Sequence, residues 1–97
     1  MADMHTQSIS SPDHVDVLID RIKRGDREAF DTLMHAHHHY IYAVSFRILG
    51  QDADAKDVTQ ECFIQIWENI DKYDSSRSKF TTWIYRIVYN LCIDRLR

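Results

Sequence analysis

Glycine, proline and cysteine are all scarce in this 97-residue chain, which has two glycines, one proline and two cysteines. So few turn-forming residues argue against a barrel or sandwich, whose many tight turns need them, and favour long helices with short connections. Cys62 and Cys92 each stand in an apolar run and read as buried thiols, not as a disulfide. No apolar stretch approaches the roughly 20 residues that span a bilayer, and no basic-then-apolar leader is seen. A cytoplasmic protein without membrane insertion is therefore expected. The hydrophobic share of 44% and charged share of 28% suit one small soluble domain.

Catalytic signatures are also missing. The chain has no glycine-rich phosphate loop, no CxxC and no serine in a nucleophile elbow, so neither an enzyme nor a cofactor is expected. The run HAHHH places His35 and His39 four residues apart, on one helix face. A pair with no third ligand and no HExxH pattern is not a metal site, and these histidines read as surface or partly packed groups.

What is present is unevenly distributed. Net charge is −3, but residues 1–71 carry 6 basic and 13 acidic side chains, whereas residues 72–97 carry 6 basic and 2 acidic. A basic, aromatic segment on an acidic body can turn one face toward a polyanion.

The apolar spacing predicts an all-α fold, a compact bundle of four helices, after a flexible N-terminus over residues 1–12. Helix 1 starts after Ser11-Pro12, buries Val15, Leu18, Ile19 and Ile22, and ends at Gly25. Asp26 caps a second helix of about 24 residues, roughly 35 Å long, which ends at Gly50. Helix 3 opens with DADAKD and turns Val58, Cys62, Phe63, Ile66 and Ile70 to one side. Helix 4 begins near Phe80, after the polar stretch DKYDSSRSK, with Phe80, Ile84, Ile87, Val88 and Leu91 toward the core.

Two helices carry side chains that the core does not use. On helix 4, Arg86, Asn90 and Arg97 form a polar stripe with Thr82 beside it, Tyr89 almost opposite Phe80, and Trp83 at the edge of the apolar arc. A guanidinium for phosphate, an amide for a base edge and an aromatic plane for stacking suit DNA; water alone is the plain alternative. Arg86 either meets phosphate or pairs with Asp94. On helix 3, Ile64 lies opposite the buried arc among Asp57, Gln60, Glu61 and Glu68, with Trp67 at the boundary. An apolar anchor in a polar rim is a common interface anatomy, although a lone exposed isoleucine is also ordinary.

DAKDVTQECFIQIWENIDKYD (54–74) followed by FTTWIYRIVYNLCIDRLR (80–97) closely resembles domain 2 of bacterial sigma factors, above all the extracytoplasmic-function group. Upstream, RIKRGDREAFDTLMHAHHHYIYAVSFRILG resembles the long first conserved helix of that domain. The resemblance implies a helical domain over residues 13–97 that docks on core RNA polymerase and recognises and helps melt the promoter minus-ten element. It places Asp57, Gln60, Glu61 and Ile64 on the coiled coil of the polymerase's largest subunit. It makes Asp74, Ser75, Ser76, Arg77, Ser78 and Lys79 a loop that captures a flipped base of the non-template strand. Thr82, Trp83, Arg86, Tyr89, Asn90 and Arg97 are then the DNA-facing residues of helix 4. An anti-sigma factor is a further partner that the resemblance allows. Full factors of the group carry a second helical domain reading the minus-thirty-five element, so weak promoter recognition by this segment alone is expected. The competing reading is a helical protein-interaction module, a sigma mimic or an anti-sigma-bound domain, without direct DNA recognition. A basic loop beside the Arg86–Asn90 stripe separates the two readings.

Overall fold

The computed structural model describes residues 12–97. Four α-helices follow in order: α1 (Pro12–Lys23), α2 (Arg27–Leu49), α3 (Asp52–Asn69) and α4 (Phe80–Leu96), with a 3-10 turn (Ile70–Lys72) after α3. The fold is all-α, as the apolar spacing predicts. The expected flexible N-terminus lies outside the described residues apart from Pro12, which opens α1. The chain divides into two compact units, one ending at Ala36 and one running from His37 to Arg97.

In the first unit, α1 buries Val15, Leu18, Ile19 and Ile22, the four positions its spacing marks. It stops at Gly25, whose φ of +94° is a conformation that side chains with a Cβ rarely adopt. The N–H of Gly25 donates to the Ile22 carbonyl at 2.8 Å, closing the last turn. Asp26 then serves two helices. Its Oδ1 accepts from the Ala29 N–H at 3.1 Å, capping α2, and its Oδ2 accepts from Arg21 Nε at 2.9 Å. Both contacts favour the carboxylate, so the Asp26 pKa falls below its ordinary value, the Ala29 N–H contributing most. The opening turns of α2 bury Ala29, Phe30, Leu33 and Met34.

In the second unit, α4 packs on α3. Phe80, Ile84, Val88 and Cys92 recur every four residues along the buried face of α4. Ala55, Val58, Thr59, Cys62 and Ile66 line the buried face of α3, and α2 adds Ile41 and Ser45. Each large apolar side chain fully buried in this way contributes about 1.5–3 kcal/mol. The two buried hydroxyls are satisfied within their own helices. Ser45 Oγ donates to the Ile41 carbonyl at 2.8 Å, and Thr59 Oγ1 to the Ala55 carbonyl at 2.7 Å. Gly50, at φ +75°, ends α2 as its position suggests. Cys62 and Cys92 are free, buried thiols; burial pushes Cys62 up to about 12, so it stays protonated at neutral pH.

Candidate nucleic-acid interface

The connection between α3 and α4 is polar in sequence yet anchored by one buried aromatic. Tyr73 is 4% exposed, and its hydroxyl donates to the Ser78 carbonyl at 2.8 Å, spanning the base of the loop. Its ring meets Phe80 edge-on with centroids 5.3 Å apart, and lies 5.4 Å from Trp83. Phe80 stacks near Trp83 at 5.9 Å and receives the His37 ring of α2 at 5.3 Å. The aromatic run at the start of α4 is thus largely a clamp that shapes the loop. Trp83 is half-buried and belongs to both clamp and surface.

Within the loop, Asp74 acts first as an organiser. Its Oδ1 accepts from the Ser76 N–H at 2.9 Å and the Ser76 hydroxyl at 2.7 Å, and its carbonyl accepts from the Arg77 N–H at 3.0 Å. Ser75, Ser76, Arg77 and Lys79 are exposed, and Ser78 is half-buried. Lys79 is the N-cap of α4, and its carbonyl accepts from the Trp83 N–H at 3.1 Å.

On α4, Thr82, Arg86, Tyr89, Asn90 and Arg97 are all exposed. Among the described residues no acidic side chain forms an ion pair with Arg77, Lys79, Arg86 or Arg97. The bracing pair Arg86–Asp94 does not form, because eight residues rise about 12 Å along a helix. Tyr85, which spacing alone did not single out, stacks on Tyr89 with centroids 6.1 Å apart and planes 22° from parallel. The two are 43% and 45% exposed, which doubles the aromatic surface beside the stripe. Their separation by four residues was the available signal. Tyr40 of α2 lies close enough that burial and then Tyr85 raise its pKa.

The stripe on α3 is also exposed: Asp57, Gln60, Glu61 and Ile64, the last at 57%. Its carboxylates have an internal partner that periodicity does not reveal. Arg95, in the last turn of α4, approaches Asp54 at 3.6 Å, Asp57 at 3.2 Å and Glu61 at 3.8 Å. Gln60 borders a groove lined by His38, His39, Tyr42, Lys56 and Phe63. There the Tyr42 hydroxyl donates to Asp52, which also pairs with Lys56 at 3.1 Å. The shared hydrogen bond raises the Tyr42 pKa and lowers that of Asp52. Among the described residues, no group of three or more His, Cys, Asp or Glu side chains could hold a metal ion. Nor is any described helix long and apolar enough to cross a membrane.

One all-helical unit thus carries an exposed cationic and aromatic helix face, an ordered loop before it and an acidic stripe on a neighbouring helix. The family model for Sigma-70 region 2 matches residues 33–97, and the chain belongs to that family. It is 44% identical over 79 residues to the ECF RNA polymerase sigma factor SigW of Bacillus subtilis, covering 81% of this chain and 42% of that protein. It is 35% identical to the RNA polymerase sigma-H factor of Pseudomonas aeruginosa, covering 81% of this chain and 40% of that one. Among solved structures, the NMR structure of an engineered region 2 of sigmaE in complex with GTAAAA has a TM-score of 0.77 and 34% identity, with 84% of each chain covered. The relatives place the chain with region 2 of the ECF sigma factors, a family that is not catalytic. The chain spans about two fifths of the length of the curated relatives it matches.

Proposed function

We propose that residues 13–97 form a cytoplasmic sigma factor domain that docks on core RNA polymerase and holds the melted non-template strand of the promoter minus-ten element. The observation that carries this reading is the pairing of family membership with unpaired, exposed cations on the loop and on α4. A domain with only protein partners would gain little from leaving Arg77, Lys79, Arg86 and Arg97 without ion-pair partners beside an aromatic pair. The similar solved structure, an engineered region 2 of sigmaE, is in complex with GTAAAA, which supports a nucleic-acid ligand for the same helical frame.

Asp57, Gln60, Glu61 and Ile64 are the docking stripe, set against the coiled coil of the polymerase's largest subunit. Ile64 is the apolar centre and the three polar residues are the rim. Asp74, Ser75, Ser76, Arg77, Ser78 and Lys79 form the capture loop, with its backbone shaped by Tyr73 and Asp74. Extruding a base costs a few kcal/mol, which an ordered pocket and phosphate contacts offset. Arg77, Lys79, Arg86 and Arg97 meet phosphate, Tyr89 and the outer edge of Trp83 offer stacking surface, and Asn90 and Thr82 face base edges. No bond is made or broken; the work is preferential binding of the open strand. An anti-sigma factor that covers either stripe would silence the domain.

The test is binding to a panel of single-stranded minus-ten variants, with and without the polymerase coiled coil. Sequence-dependent binding that strengthens in the presence of the coiled coil is expected. Coiled-coil binding with no strand binding would instead favour the protein-interaction module.

A further inference from the structure

The guanidinium of Arg95 lies within 4 Å of three carboxylates on α3, two of which belong to the docking stripe. Asp54, Asp57 and Glu61 are spaced three and four apart, so they share one helix face and repel one another. A planar fork of five donors reaches three separated carboxylates more readily than the compact three-donor ammonium of lysine.

Three different guanidinium nitrogens make the approaches: Nε to Oδ1 of Asp54, Nη2 to Oδ2 of Asp57 and Nη1 to Oε1 of Glu61. Its own side chain is 33% exposed, whereas those of Asp57 and Glu61 are 64% and 55% exposed. The cation is therefore less exposed than the acids it joins, and the carboxylates of Asp57 and Glu61 stay largely open to solvent. One positive and three negative charges leave the cluster anionic, so it still suits a basic surface.

We propose that Arg95 is a positioning residue for docking: it holds Asp57 and Glu61 in a ready-ordered acceptor array for basic groups on the polymerase coiled coil. Two long or mobile acidic side chains are ordered before the partner arrives, which removes part of the ordering cost of association. This inference rests on the docking role proposed for the α3 stripe. It assigns to α4, otherwise the strand-facing helix in that reading, an indirect part in polymerase binding.

The test titrates fluorescently labelled 97-residue chain with core RNA polymerase at several salt concentrations, well below the melting temperature of every variant. Arg95→Ala is expected to weaken docking about two- to fivefold, the range of a partly exposed ion pair. Arg95→Lys should recover part of the loss, since it restores charge without the fork. In the Asp57→Asn/Glu61→Gln background, Arg95→Ala should add little further loss, because the residues it positions are already neutral. Docking by Arg95→Ala as tight as the parent's, or tighter, would overturn the proposal and mark Arg95 as a competitor for the acids. So would an equal loss in the neutralised background, or a lowered melting temperature with unchanged docking, which is the mark of a purely structural pair. If Ile64→Glu and Asp57→Asn/Glu61→Gln both dock like the parent, the docking reading itself fails and the proposal falls with it. If those two variants lose affinity and Arg95→Ala does not, only the proposal fails.

Discussion

Replacing Tyr73 with phenylalanine removes one oxygen from the base of the proposed capture loop and leaves its aromatic packing in place. The deleted hydroxyl donates to the Ser78 carbonyl at 2.8 Å, and the retained ring still meets Phe80 at 5.3 Å and Trp83 at 5.4 Å. One part-buried hydrogen bond is worth about 0.5–1.5 kcal/mol net. In a domain of this size a loss of about 1 kcal/mol lowers the melting temperature by about 4–8 °C. Tyr73→Ala would also lose the ring, at a cost of about 3–5 kcal/mol by analogy with Phe→Ala in a core, and so measures the clamp as a whole. The informative comparison lies between stability and function in the phenylalanine variant. The hydrogen bond ties the start of the loop to Ser78, so its loss should free residues 74–79 more than the helices. Hydrogen exchange should quicken at those loop amides, and affinity for a single-stranded minus-ten oligonucleotide should fall although the protein remains folded. Thermal melts, exchange and fluorescence anisotropy on one preparation measure all three. Unchanged loop exchange together with parent-like strand affinity would show that the clamp does not shape the ligand site.

On the proposed docking face, Gln60→Ala and Glu61→Ala should each weaken binding to core polymerase modestly. Ile64→Glu should cost tenfold or more, about 1.4 kcal/mol, because it places an unpaired charge at the interface centre; a pull-down in which all three behave like the parent would reject the stripe. On the strand face, Arg77→Ala and Lys79→Ala should each lower the salt dependence of single-strand binding, by about 0.7 in log–log slope for each phosphate no longer neutralised. Asn90→Ala should relax preference at one upstream base by about 1–3 kcal/mol, and an equal loss for every sequence would exclude base reading. For the helix junction, Asp26 has a depressed folded pKa, so its contribution to stability is present above the unfolded value near 3.8 and is lost as pH falls through the lower folded value. Asp26→Asn keeps a capping oxygen but cannot titrate, so its melting temperature should fall below the parent's at neutral pH and converge with it in acid. A gap constant across that range would contradict the assignment.

Much of the fold was legible because its signals are local. Proline at a first turn, glycines that can take a positive φ, and an aspartate followed by a free N–H each mark a helix end within a few residues. Recurrence at three and four residues marked the buried faces of α1, α3 and α4. Tyr73 escaped because it is a single aromatic in DKYDSSRSK with no periodic companion, and only the arrival of Phe80 and Trp83 makes its surroundings apolar. Arg95 escaped for a related reason. Its hydrogen-bond partner Asp57 lies 38 residues away, and nothing in the local sequence selects that acid over water. The exposed stripes were readable as leftovers of the core, but which cations stay unpaired is a property of tertiary placement.

The most direct measurement compares the affinity of the chain, bound to core RNA polymerase, for one minus-ten sequence presented as a single strand and as a duplex. Tighter binding of the single strand is expected, with the difference shrinking when Arg77 and Lys79 are replaced by alanine. Equal or tighter binding of the duplex would show that the domain does not act by holding the opened strand.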